Sequence, residues 1–196
     1  MDGYNIDLQS QMEQFENIIM SSTLLKNILL KTIDLDIHDY YIGAGCIAQT
    51  IWNKQLGNNL DYGISDIDFV YFDNIDLSVE GENKIIDKIN NTIKPCPIKL
   101  DIKNQARVHL WYKEHFGYNI KQYKSIEDAI NSWPTTSTSI GIRLDNGKIK
   151  IYAPFGLNDI FGMIIKANKA QITEEIYLQK VNKWKTKWSK LKIIPW

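Results

Sequence analysis

Cysteine is scarce in this chain: Cys46 and Cys96 are its only two in 196 residues. They stand far apart with no CxxC spacing and no histidine-rich neighbourhood, which excludes a disulfide framework and a zinc site of the finger type. Both read as buried or half-buried thiols in a reducing cytoplasm. Missing too is any apolar run near the ~20 residues that span a bilayer. The opening MDGYNIDLQSQ is acidic and polar, where a signal peptide is basic and then apolar. The expectation is a soluble cytoplasmic protein with no membrane partner. Charge of one sign is not in excess either, since Lys plus Arg and Asp plus Glu both number 23 and the formal net charge is zero. That balance withholds the basic field on which non-specific nucleic-acid binding relies, leaving only local patches. Repeats and low-complexity linkers are absent. What remains is 44% hydrophobic and long enough for one domain with a real core.

The chain is organised around residues 40–72, YYIGAGCIAQTIWNKQLGNNLDYGISDIDFVYF. Alternation of Ile64, Asp66, Asp68 and Val70 against Ser65, Ile67, Phe69 and Tyr71 predicts a β-strand. Residues two apart on a strand share a face, so the Asp66 and Asp68 carboxylates sit side by side. Like charges so placed call for neutralisation, and a hard divalent cation supplies it. Upstream, the apolar run Tyr40–Ile42 ends in Gly43-Ala44-Gly45, and a helical segment follows over residues 46–56. Such a turn aims backbone N–H groups and a helix N-terminus at a phosphate. Strand, small-residue turn, helix and acidic strand together describe a site for a metal-bound phosphate.

The flanking segments are mostly scaffold. Apolar residues from Met12 to Leu29 recur at three- and four-residue steps, predicting one or two amphipathic helices over about 8–31 with Asp7 as N-cap. Asp34-Leu35-Asp36 reads as a solvated loop. A helix over 79–93 is closed by Pro95 and Pro97. A strand over 98–103 carries Asp101, which by pattern alone could be an exposed strand residue. A helix is expected to start near Asn104; within it Arg107 suits phosphate oxygens, or else forms a buried ion pair with Asp101 or Glu114. His109 and His115 are read as packing or hydrogen-bonding residues. Ser125 caps a short helix that Trp133-Pro134 breaks. The hydroxyl run Thr135–Ser139 either lines a pocket or is a solvated strand entry. Two strands, 140–144 and 148–152, flank Asn146-Gly147, a hairpin signal. A helix is expected over 159–165, and a last one over 173–191 capped by Thr173. The stretch from that helix through Lys192 carries six lysines, beside Trp184 and Trp188. It is read as a tryptophan stripe docked on the body with lysines in water, with nucleic-acid binding as the alternative.

Taken together, the Gly43–Gly45 turn, the helix after it and Ser65-Asp66-Ile67-Asp68 resemble the nucleotidyltransferase superfamily of the DNA polymerase β type. The long interval from Gly45 to Asp66 is more similar to the antibiotic nucleotidyltransferases. IGAGCIAQTIWN, ISDIDFVYFD, IKNQARVHLWY and YAPFGLNDIFGMII extend the likeness over most of the chain, to an uncharacterised bacterial nucleotidyltransferase-like family. Ala44 departs from the usual Gly or Ser, so the sequence leaves open which N–H groups meet the phosphate.

The resemblance implies an α+β nucleotidyltransferase fold. A small mixed sheet would carry the acids with helices packed on one side, and the N- and C-terminal helices would dock on a single domain, 1–196. It implies Asp101 as the third acid beside Asp66 and Asp68, all three serving as catalytic residues and ligands of two Mg²⁺ ions, or Mn²⁺. Gly43, Ala44, Gly45, Ser65 and Arg107 would bind the nucleotide. The implied reaction moves a nucleoside monophosphate from an NTP to a hydroxyl of a small-molecule or macromolecular acceptor, with release of pyrophosphate. A catalytically silent nucleotide-binding or interaction module that keeps the fold is the alternative.

Overall fold

The computed structural model describes residues 2–37 and 39–196, and in it the chain opens with two amphipathic helices, α1 (Leu8–Ser21) and α2 (Thr23–Lys31). Asp7 caps the first by accepting the Ser10 N–H at 3.0 Å, satisfying one of the donors a helix start leaves orphaned. The chain continues through β1 (Tyr40–Gly43), α3 (Gly45–Leu56), β2 (Asp66–Tyr71), α4 (Val79–Ile93) and β3 (Lys99–Asn104). Next come α5 (Val108–Phe116), α6 (Ile126–Asn131), β4 (Gly141–Asp145) and β5 (Lys148–Tyr152). The last elements are α7 (Asn158–Phe161), β6 (Ile164–Ile165), α8 (Glu174–Lys187) and β7 (Lys192–Ile193).

Five strands form a mixed sheet in the order β3-β2-β1-β4-β5. β1 pairs antiparallel with β2 and β4, β4 and β5 form a hairpin, and β2 and β3 run parallel. A parallel pair needs a crossover, and α4 provides it, ending where Pro95 and Pro97 forbid continuation. The alternation read from the sequence sorts the faces. Tyr40, Ile42, Ile67, Phe69 and Tyr71 join Phe15, Ile19, Leu25, Leu29, Ile47, Ile51 and Ile89 in one large core under α1 to α4. The opposite face holds a smaller cluster of Tyr41, Val70, Ile126 and Ile130, with Trp133 packed against it. Asp66 and Asp68 share the face of Val70, the side α1 to α4 leave open.

Two tryptophans fix α8 to this body. Trp188 is fully buried and meets Trp52 edge to face, ring centroids 5.6 Å apart, while Trp184 meets Trp52 at 5.9 Å. Trp188 Nε1–H donates to Asn53 Oδ1 at 2.7 Å. Trp188→Phe keeps most of the apolar volume and loses that bond, so unfolding in urea is expected to cost about 2 kcal/mol less. A change within error would show the bond to be neutral.

Three local expectations are corrected. The helix expected over 159–165 stops at Phe161: Met163 takes a positive φ of 53°, and Ile164–Ile165 becomes a strand paired parallel with Lys192–Ile193. The hydroxyl run is not a solvated strand entry, because Thr135 to Ser139 are all buried. Its hydroxyls are paired internally, Thr136 Oγ1 donating to Asp159 Oδ2 at 2.6 Å and Ser139 Oγ to Thr135 O at 2.9 Å. The last helix ends at Lys187 rather than near 191, and the chain after it returns to pair with β6. Asp34 and Asp36 are exposed, as read. Among the described residues no helix is long and apolar enough to cross a membrane.

Candidate active site

The parallel pairing of β2 and β3 places Asp68 directly opposite Asp101, while Asp66 lies two residues back on the face of Asp68. Three carboxylates therefore reach one patch of sheet, at the floor of a cleft of about 740 Å³. Asp66 is exposed and accepts the Ser65 hydroxyl at 3.0 Å; Asp68 and Asp101 are half-buried. Burial is the largest influence on Asp68, and the Asp101 and Asp66 charges add to it. Together they push its carboxyl up to about 7 against the opposing pull of Lys103 and Lys180. Asp101 is tied by a short ion pair to Lys103, its same-face neighbour. Among the described residues, no three acids, histidines or cysteines stand close enough to cage an ion as they are. The donor set nevertheless suits a hard divalent cation: oxygen ligands, excess negative charge around the half-buried Asp68 carboxyl, and an open side for substrate oxygens.

The turn before α3 forms the cleft's second wall. Gly43 lies opposite Asp68 across the β1–β2 ladder, and a Cβ there would fall 2.6 Å from Ile140 O and 2.8 Å from the Trp133 ring. Glycine is required at that point by close approach. Ala44 and Gly45 line the cleft. Ala44 sits at φ 59°, ψ −133°, a conformation natural to glycine. Its N–H is already donated to Ile140 O at 2.9 Å. The amides free to meet a phosphate are thus those of the first turn of α3, from Gly45 onward, where no side chain caps the helix. Ala44→Gly should relieve the strain and raise stability by about 1 kcal/mol in a urea melt. A destabilised variant would contradict the strained reading.

Arg107 is a correction. It is buried in the short 3₁₀ turn after β3, ion-paired with Glu82 of α4, and its Nε–H donates to Leu77 O at 2.9 Å. The turn points the guanidinium to the α4 side, so it serves the packing of the crossover and does not line the cleft. The ion-pair alternative holds, with Glu82 as the partner in place of Asp101 or Glu114.

What sequence reading missed lies on α8. Lys180, Lys183 and Lys187 line the cleft, as does Lys103 from β3, so four lysines face three acids. Burial pulls the Lys180 ammonium down from its usual range, opposed by the charges of Asp68 and Asp66. Lys187 Nζ donates to Gly63 O at 2.8 Å, holding α8 against the loop before β2. The signal was present as spacing: residues 180, 183 and 187 lie on one helical face beside the 184/188 tryptophan stripe. Thr138 contributes the hydroxyl run's part of the cleft. His115 also lines it and is held edge-on against Trp111 at 6.2 Å and Phe116 at 4.6 Å, a packing role as read.

A family model described as Nucleotidyltransferase matches residues 31–193 of this chain. Among solved structures, one titled "The NMR structure of the protein reveals a CCA-adding enzyme head domain" is similar in fold. Its TM-score is 0.76 and its identity 24%, over 99% of this chain and all of that one. No curated protein matches the sequence.

Proposed function

The chain belongs to the nucleotidyltransferase family, and we propose that it moves a nucleoside monophosphate from an NTP to an acceptor hydroxyl at the Asp66, Asp68 and Asp101 cluster. The observation that carries this is the register of Asp68 with Asp101 beside Asp66, on a cleft floor that faces a helix N-terminus and three lysines of α8. Asp66 and Asp68 would hold Mg²⁺ or Mn²⁺ on the triphosphate, and Asp101 would complete the shell of a second ion. When bound, these cations neutralise charge on the attacking and leaving oxygens.

The rest of the work belongs to the chain. First-turn amides of α3 orient the triphosphate, and Lys183 and Lys187 offset its charge along the cleft wall. The acceptor oxygen forms a bond to the α-phosphorus while the bond from that phosphorus to the bridging oxygen breaks. The hydroxyl proton passes to Asp101, and pyrophosphate leaves. Lys103 and Lys180 keep the acidic floor from being purely repulsive.

Pyrophosphate release is the test, measured with Mg²⁺, each of the four NTPs and a mixed pool of hydroxyl and RNA acceptors, beside Asp66→Ala. Release that needs the wild-type protein, the metal and one acceptor class supports transfer. A silent module is the second reading, favoured by the Ala44 N–H already spent on Ile140 and by the Asp101–Lys103 pair. It predicts binding of NTP and Mg²⁺ by calorimetry with no release for any acceptor, and absence of both bindings would refute the site.

A further inference from the structure

A second cavity opens from the same floor. Asp66, Asp68 and Val70 follow one another along one face of β2, at steps of about 6–7 Å. The polar cleft takes in Asp66 and Asp68, whereas a neighbouring pocket of about 220 Å³ takes in Asp68 and Val70, and both include Asp101. The two cavities therefore meet at the acids. Val70, Val108, Trp111, Tyr112, Phe116 and Ile172 make the walls of the second one. Its charged groups, Asp68, Asp101, Lys103 and Lys180, are those it shares with the cleft, so they stand at its mouth. The polar groups that belong to it alone are neutral, and Tyr123 is already satisfied there, its hydroxyl paired with Ser132 Oγ at 2.8 Å and donating to Gln171 Oε1 at 2.7 Å.

We propose that this aromatic pocket receives the ring of a small uncharged hydroxyl compound and presents its hydroxyl as the acceptor of the nucleotide, an inference that rests on the transfer reading above. In-line displacement puts the attacking and leaving oxygens on opposite sides of the phosphorus. The α3 N-terminus, Lys183 and Lys187 lie on the Asp66 side only, so pyrophosphate departs there. The attacking oxygen must then arrive from the side of Val70. An apolar cavity of about 150 Å³ holds a benzene-sized ring, so this pocket has room for one substituted ring. An ionised body would find no counter-charge inside it. The aromatic walls instead offer the rings of Trp111 and Tyr112, inclined by 28° with centroids 6.2 Å apart, as surfaces for stacking.

The experiment uses the full chain with Mg²⁺ and a non-hydrolysable NTP analogue, titrated with 2-phenylethanol and 2-naphthol and followed by backbone amide NMR. Shifts should centre on α5 and on Gln171 and Ile172, with and without the analogue. Val108→Trp, which fills the pocket, and Trp111→Ala, which removes a half-buried wall and keeps the test should the first not fold, should each weaken ring binding by about tenfold or more. Competition between analogue and ring compounds would hand the pocket to the nucleobase and overturn the acceptor role alone. Ring binding that neither variant weakens also overturns it, as does the absence of ring binding by the wild-type protein. Failure of the analogue and Mg²⁺ to bind by calorimetry would instead overturn the transfer reading itself.

Discussion

Asp68→Asn is expected to lower nucleotidyl transfer by about a thousandfold or more, with far-ultraviolet circular dichroism unchanged. The amide keeps the shape of the carboxyl and loses the charge that a divalent cation needs. Asp68 is the member of the cluster in register with Asp101 and on the same face as Asp66, so it can share an ion with either. Asp66→Asn and Asp101→Asn should act in the same direction. Asp66 is the most exposed of the three, and the hydrogen bond it accepts comes from its neighbour Ser65, so its loss should leave the fold untouched. Asp101→Asn also releases Lys103 from its pair, which makes Lys103→Met the control for that contact. Pyrophosphate release at saturating NTP and Mg²⁺ reads all four variants. Wild-type turnover in Asp68→Asn would falsify the assignment of the acids.

Much of this arrangement was legible because its causes are local. Residues 79–93 read as a helix closed by Pro95 and Pro97, and the helix occupies those residues. Asn146-Gly147 between alternating segments gave the hairpin, with both central residues at positive φ as such a turn requires. Asp66 and Asp68 fell on one face for the period-two reason that predicted it. The losses all depend on a distant partner. Ile164-Ile165 is short and β-branched, and whether it ends a helix or joins a strand is decided by Lys192-Ile193, far along the chain. Arg107 turns to Glu82 because a 3₁₀ turn intervenes between β3 and α5, and nothing in residues 104–112 records where α4 lies. Lys180 illustrates the limit most clearly. The tryptophan stripe correctly said that α8 docks, but docking on Trp52 also rolls the adjacent lysine face over Asp66 and Asp68, and that consequence exists only in three dimensions.

The raised Asp68 carboxyl carries a second large effect, on the stability of the metal-free protein. A carboxyl that titrates near 3.8 in the unfolded chain and at about 7 in the folded one binds its proton more tightly when folded. Its contribution is therefore present below pH about 4 and is lost as pH rises towards 7, at up to about 1.4 kcal/mol per pH unit. Integrated over that window, the cost approaches ~4 kcal/mol as an upper bound, since relaxation of the half-buried group lowers it. In EDTA, urea melts at pH 5 and pH 8 should show the wild type losing stability as pH rises, after other groups are cancelled against Asp68→Asn. The variant lacks this titration and should be the more stable protein at pH 8. Addition of Mg²⁺ at pH 8 should restore the wild type and leave the variant nearly unmoved, because a ligand stabilises only the state that binds it. Parallel pH profiles for the two proteins would mean that Lys103 and Lys180 already neutralise the cluster without a metal. A restored profile in Mg²⁺ would mean that the cation takes up the charge that Lys103 and Lys180 leave unneutralised at the acids.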